Sequence, residues 1–438
     1  MSLAVLSLSA LVLALVISCV SELNIGVLSI VFAWIVGVYL GGMKLDQVIA
    51  GFPTSLFLTL AGLTLLFSQA QVNGTLDRFA RHAVRLCRGN AGIIPIMFFV
   101  MTALLSSIGP GNIASTALMA PLGMAIAGRY NISPFLMAIM IANGASAGSL
   151  SPIAPTGVIV NGLVAKMGIV NVEWRIYSNN LLVHTAVALS GYFLFGGLKL
   201  FARQPTPAVS GGGTIAGIGV PQHEPAGAEV GTSADAAEAP LTWKHWLTTA
   251  VIAALVVGAI AFDVNVGMAA FAGAMILSAV RAGNDGEAVK RMPWRVILMV
   301  CGVTVLVSLL EKTGGLDLFT AFLARLATPA TSTLVTAFFT GLISIYSSTT
   351  GVVLPALIPT VPGLIQRMGG GDPMSIISAI NSGGHLVDVS PLSTLGALCL
   401  AAAPPGTDSR RLFNQLMAWG LSMSVVGAIV CWIFFGLL

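Results

Sequence analysis

The sequence predicts an all-α polytopic membrane protein built from two repeats of inverted topology. Each repeat has five transmembrane helices, one of them broken, plus a re-entrant hairpin. Three observations predict this: a charge-poor apolar composition, motifs that recur at nearly the same spacing, and loop charge that changes sides between the halves. The chain is 56% apolar and 8% charged, with 49 glycines among 438 residues. A soluble domain of that size would expose far too much apolar surface to water. In lipid the backbone must satisfy its own polar groups, so the spanning segments are helices. The net charge of +4 is modest. The basic residues sit at segment ends, which fits membrane orientation and argues against nucleic-acid binding.

The duplication is explicit. ELNIGV (22–27) returns as DVNVGM (263–268). Gly62, Thr64, Ser68, Gly74, Leu76, Asp77 and Phe79 return as Gly302, Thr304, Ser308, Gly314, Leu316, Asp317 and Phe319, each 240 residues later. SPIAPTG (151–157) returns as SPLSTLG (390–396), 239 residues later. Duplicated, interrupted hydrophobic halves are the build of alternating-access transporters, whose site lies between the repeats near the membrane midplane.

The first repeat covers 1–203. Apolar runs predict helices at 3–21, 25–42, 54–72, 134–147 continued by 157–168, and 180–201. The first run could pass for a signal peptide. It has no basic leader before Lys44 and a counterpart at 247–262, so it reads as a first transmembrane helix. The second repeat, 241–438, places helices at 244–262, 266–282, 295–312, 373–385 continued by 396–404, and 411–437. The stretches 91–128 and 329–366 are each interrupted midway and read as re-entrant hairpins. The broken helices fall within 134–168 and 373–404. Residues 204–240 are rich in Gly, Ala, Pro and Ser, lack aromatic residues and read as a disordered linker. Cys19, Cys87, Cys301, Cys399 and Cys431 are far apart and form no CxxC, which suggests packing residues and neither a disulfide framework nor a metal site.

Loop charge supports the inversion. Arg78, Arg81, His82, Arg85 and Arg88 follow the third helix of the first half, where the second half has only Arg325. After the second helix, the first half has Lys44, and the second has Arg281, Lys290, Arg291 and Arg295. The positive-inside rule then places both termini periplasmic or extracellular and the linker cytoplasmic, in the cell's inner (plasma) membrane. The arginines at 78–88 share one helical face and read as an anchor at anionic headgroups.

Four polar interruptions carry the chemistry: SSIGPGNIAST (106–116), NGASAGSLSPIAPTG (143–157), SIYSSTTG (344–351) and NSGGHLVDVSPLSTLG (381–396). The first and third are hairpin tips; the second and fourth break a helix. Broken helices leave amides and carbonyls that must line a cavity or bind something. Helix N-termini suit carboxylates, and unwound carbonyls with Ser, Thr and Asn oxygens suit sodium. No Lys or Arg lies in these segments; His385 and Asp388 are their ionisable residues. That pattern favours a small, doubly charged anion neutralised by sodium. Asp388 could ligate sodium, carry a proton or pair with His385. His184, in an apolar helix, reads as scaffold packing.

These segments resemble those of the ion-transporter superfamily, and most closely the MatC-type dicarboxylate (malonate) carriers, relatives of the divalent-anion:sodium symporters. GNIASTALMAP (111–121) is similar to the family's Ser-Asn-Thr tip with its proline-ended helix, with Asn112 at the motif asparagine and Gly111 and Ile113 in place of its serine and threonine. Thr349, Thr350 and Gly351 stand where the second Ser-Asn-Thr is expected, and SPIAPT where the family has a Thr-Pro-rich turn. The resemblance implies cation-coupled dicarboxylate import, an elevator-type transporter and a homodimer. Candidate substrate contacts are Gly111, Asn112, Ile113, Ser115, Pro152, Ser348, Thr349, Thr350, Ser393 and Thr394. Candidate sodium ligands are Ser107, Gly111, Asn112, Gly148, Ser149, Ser344, Ser347, Thr350 and Asp388. Sodium is the coupling ion, and no resident cofactor is expected. Alternatives are the large membrane subunit of a TRAP-type transporter and a cation/proton exchanger using Asp388. An intramembrane enzyme is disfavoured, because HEXXH and a duplicated nucleophile–base pair are missing from the sequence.

Overall fold

The structure, a computed structural model, describes residues 2–21, 23–76, 78, 91–201, 241–262, 264–345, 347–404 and 406–437. The predicted linker (204–240), Arg81, His82, Arg85, Arg88, Cys87, Asp77 and Phe79 lie outside the described residues. The regular structure described is helical. The chain starts with α1 (Leu3–Val20), α2 (Ile25–Trp34, continued by a π turn to Leu40), α3 (Leu45–Ile49) and α4 (Thr54–Val72). The first predicted hairpin is α5 (Ile93–Ile108) and α6 (Gly111–Arg129), and the first broken helix is α7 (Pro134–Gly148) and α8 (Pro155–Lys166). Next come α9 (Glu173–Leu194), α10 (Gly197–Phe201), α11 (Trp243–Ala261), α12 (Val266–Ala279), α13 (Asp285–Arg291), α14 (Trp294–Thr313) and α15 (Gly315–Leu326). The second hairpin is α16 (Ser332–Ser344) with an arm that runs through a π turn (Thr349–Val353), α17 (Leu354–Leu357) and α18 (Val361–Met368). The second broken helix is α19 (Pro373–Leu386) and α20 (Thr394–Ala401), and α21 (Ser409–Trp432) ends the chain.

Three expectations need correction. The helix predicted at 180–201 starts earlier, at Glu173, and stops at Leu194 before a positive-φ glycine, Gly196. Polar Arg175, Ser178 and Asn179 hid its first turns: Asn179 donates to Ser378 Oγ at 2.8 Å, and Arg175 pairs with Asp372 at 3.0 Å. The interval 313–331 contains a further helix, α15, and 281–295 contains α13. By length and apolarity, six helices among the described residues can cross a membrane; several predicted spans, such as Ile25–Leu40, are shorter apolar helices. The chain is a multi-pass membrane protein.

The recurring motifs have a structural purpose. Asn24 and Asn265 cap α2 and α12, accepting the amides of Gly26 at 2.8 Å and Met268 at 3.1 Å. The glycines beside them set two crossings. A β-carbon on Gly302 of α14 would lie 2.1 Å from the Gly26 carbonyl oxygen, and one on Gly62 of α4 would lie 2.4 Å from that of Gly267. So α2 packs on α14 and α4 on α12, backbone against backbone. The hairpins repeat the device. α5 lies along α7 and α16 along α19, with Gly144 against the Phe99 carbonyl and Gly383 against the Ala337 backbone. Phe135–Gly148 and Ile376–Leu386 are buried throughout, so the first arms of both broken helices form the centre of the fold. α1 packs on α2, α14 and α15.

Asp372 caps α19 by accepting the amides of Met374 and Ser375 and the Ser375 hydroxyl, and it pairs with Arg175. Burial pulls its carboxyl upward, but the Ser375 hydroxyl, the two amides and Arg175 outweigh that and hold it below the usual aspartate value. Its contribution is therefore complete above the unfolded-state value and fades as pH falls through the lower folded value. Asp372→Ala is expected to lose about 1 kcal/mol, and acid melts of the variant should converge with wild type as the pH drops below about 4. Gly302→Ala must separate α14 from α2. The expected loss is about 1–3 kcal/mol, read as a lower melting temperature in detergent.

Candidate functional site

Four helices begin at one place. A cavity of about 280 Å³ is lined by Gly111, Pro155, Thr349 and Thr394, the first residues of α6, α8, the π turn before α17, and α20. Two starts come from hairpin tips and two from helix breaks. Local sequence makes each one. At the first tip, Gly109 (φ 144°) and Gly111 (φ 80°) turn the chain, and Gly109 presses against the Phe67 ring, where a β-carbon would sit 2.0 Å from it. The two breaks are built alike. Each Ser-Pro turn folds the chain back so that the glycine six residues after the serine meets the serine's carbonyl. A β-carbon would lie 1.9 Å from Ser151 O at Gly157 and 2.1 Å from Ser390 O at Gly396. Pro155 then starts α8 without needing an amide partner.

The helix starts are incompletely capped. Pro110, Ala154 and Ser393 precede α6, α8 and α20 without a side-chain bond to the first-turn amides; Ser348 accepts the Gly351 amide at 3.1 Å. First-turn amides and the positive ends of helix dipoles thus face the cavity. Ser393 turns its hydroxyl elsewhere, donating to Asp388 Oδ1 at 3.1 Å, and Thr349 donates to the same oxygen at 2.9 Å. The hydroxyls of Thr156 and Thr350 meet at 3.3 Å, joining the first break to the second tip.

Of the candidate residues, the cavity gathers Gly111, Asn112, Ile113, Ser348, Thr349, Thr350, Ser393, Thr394 and Asp388. The Asn112 side chain does not cap α6 from the N-cap position; it sits inside the first turn, with Oδ1 accepting the Ile113 amide at 3.0 Å. Ser107, Ser115, Gly148, Ser149, Pro152, Ser344 and Ser347 lie outside the lining. Ser107 donates to Ala103 O at 2.7 Å and meets the Tyr177 hydroxyl at 3.0 Å; Ser149 donates to Ser146 O at 2.7 Å. The Ser115 and Ser344 hydroxyls are buried without a partner.

The expected options for Asp388 lose one member. It does not pair with His385, whose Nδ1–H donates to Asn381 O at 2.8 Å. Both groups have nearer partners. His184 is also more than apolar packing: its Nδ1 meets Asn143 Oδ1 of α7 at 3.1 Å, and its ring lies 6.5 Å from that of His385.

The interruptions do not supply the whole lining. α4 contributes Thr64, Ser68 and Gln71, and α13 contributes Arg291, an exposed cation. Arg291 and Asp388 are the charged lining residues. The recurrence of Thr64 and Ser68 as Thr304 and Ser308 was a signal for the former. Arg291 carried none, because it lies in a predicted loop.

Residues 1–149 match the family described as dicarboxylate carrier protein MatC N-terminus. The resemblance drawn from the hairpin tip is borne out over that region. Among solved structures the fold is similar to the YdaH transporter of Alcanivorax borkumensis, described as having an unusual topology. The two share 15% identity over 92% of this chain and 89% of that one, with a TM-score of 0.53. No curated protein matches the sequence. The family match covers about a third of the chain, and the likeness to YdaH is one of fold.

Asp388→Ala leaves the half-buried Ser393 hydroxyl without its acceptor and the buried Thr349 hydroxyl with only the Gly384 carbonyl, at 3.4 Å. The expected destabilisation is about 1–3 kcal/mol. Thermal unfolding should show it, with Asp388→Asn retaining most of the stability because its amide oxygen still accepts.

Proposed function

We propose that the chain is a secondary carrier that imports a small dicarboxylate, malonate or a C4 acid, together with sodium. The supporting observation is the convergence of four helix N-termini on one cavity. Two carboxylates need fixed positive partial charge at two places, and helix starts provide it without a permanent cation. At about 280 Å³ the cavity suits a short anion. Sodium is co-transported cargo in this reading. Asp388, with the neutral oxygens of Asn112 and Thr350, supplies the hard ligands near the anion, and Ser107, Gly148 and Ser149 supply a second group beside α5 and α7.

The mechanism proposed is an elevator. Residues 1–203 and 241–438 act as inverted repeats joined by a cytoplasmic linker, with both termini outside. The hairpins and broken helices (α5–α8 and α16–α20) move as one body past α2, α4, α12 and α14 in a homodimer. The matched crossings, α2 on α14 and α4 on α12, support the repeat reading. A cation/proton exchanger is the second reading, favoured by Asp388 in the lining.

Uptake of labelled malonate and succinate into proteoliposomes tests the proposal. Uptake is expected to require an inward sodium gradient; equal uptake without sodium would refute the coupling. Dependence on a proton gradient that Asp388→Asn abolishes would select the exchanger. Arg291→Gln is expected to raise KM about fivefold at low salt, with the gap closing at high ionic strength, because an exposed cation at the mouth acts by screened attraction.

A further inference from the structure

A second cavity, about 810 Å³, opens between the end of α4, the start of α11 and the loop from α12 into α13. Arg78, Lys244 and Arg281 line it, each from a different segment. Among the described residues its one acid, Asp285, is occupied: it accepts from Gln69 Nε2 at 2.5 Å and from the Ser278 hydroxyl. His245 is also committed. Its Nε2–H donates to Asn73 O at 3.1 Å, and its Nδ1 accepts the Thr242 amide at 2.9 Å. Among the described lining residues, Lys244 and Arg281 thus outnumber the one acid, which is already engaged.

Arg281 stands there against backbone preference. It follows α12 with φ at 56°, in the left-handed position where glycine or asparagine is usual. The amides of Ala282 and Gly283 both donate to Leu277 O, at 2.8 and 3.1 Å, and lock that turn. The surroundings give the depth. Trp243 and Trp246 flank Lys244 on α11 and are 58% and 61% exposed. Lys244 Nζ lies 5.9 Å from the Trp243 ring. Exposed tryptophans at a helix end sit at the headgroup level of a bilayer.

We propose that this cavity binds the phosphate headgroup of an anionic lipid, with Lys244 and Arg281 supplying the charge and Trp243 and Trp246 setting its depth. Basic pockets between transmembrane helices recognise such headgroups. The site is separate from the transport cavity and requires only that the chain be membrane-embedded. A lipid there would tie α4, α11 and α12 together at one end.

Native mass spectrometry of the full chain in detergent, titrated with phosphatidylglycerol or phosphatidylcholine, tests this. Wild type is expected to prefer phosphatidylglycerol. Lys244→Gln combined with Arg281→Asn, where asparagine keeps the left-handed turn, should reduce that preference about twenty-fivefold, at roughly fivefold per cation. Lys290→Gln, a cation outside the cavity, should leave it unchanged. Equal retention of both lipids by wild type, an unaltered preference in the double variant, or an equal loss in Lys290→Gln would overturn the proposal. Displacement of the lipid by millimolar inorganic phosphate would also overturn it, marking a site for the free anion. Should the double variant not fold, Lys244→Gln alone carries the test, with about a fivefold reduction expected.

Discussion

Hydrocarbon offers no hydrogen bonds, and that constraint organises this molecule. Each interruption of a helix exposes amides and carbonyls that must find partners inside the protein. Among the described residues, this chain interrupts its helices at 109–110, 149–154, 347–348 and 390–393. The resumed helices begin at a common cavity, so their exposed first turns share one polar interior. Polar side chains follow the same logic. Thr349 and Ser393 satisfy Asp388, Thr156 meets Thr350, and the tips and breaks hold one another in place. The groups that would be most unfavourable in lipid are those that can hold an anion and its counter-ions.

Close packing makes this geometry possible. Without a strong hydrophobic drive between helices in lipid, association depends on contact and on small residues. The glycine crossings bring α2 to α14 and α4 to α12, and a second set brings α5 to α7 and α16 to α19. The first set joins elements from opposite halves of the chain; the second stays local. A rigid frame with a compact, internally packed body beside it is the arrangement the proposed elevator needs.

Much of this was legible in the residues. Asn24 and Asn265 announced helix starts, Gly74 and Gly314 marked equivalent turns with φ of 79° and 75°, and the Ser-Pro-to-Gly spacing specified both breaks. These are local effects, in which one residue type meets one backbone requirement. The lining was less legible wherever tertiary packing supplied it. Gln71 and Arg291 reach the cavity from α4 and α13, and no local pattern marks them as neighbours of the tips. The proximity of His385 and Asp388 in sequence was misleading for the converse reason: each found a better partner across the fold or one turn back.

The charges around the cavity are arranged unequally. Asp388 belongs to a broken helix and is buried, whereas Arg291 belongs to a helix packed on α4 and is exposed. In the proposed motion the tips and breaks travel with the substrate, and Asp388 travels with them. Arg291 stays with the frame. An anion would then meet the arginine on one side of the membrane and lose it on the other, while the helix N-termini accompany it throughout. Permanent binding charge is thereby kept to dipoles, which do not burden the empty site with an uncompensated cation in lipid. In that motion the arginine would instead raise the local concentration of anions at a single mouth. Such a division would let one cavity hold a doubly charged acid tightly enough to carry it and loosely enough to release it.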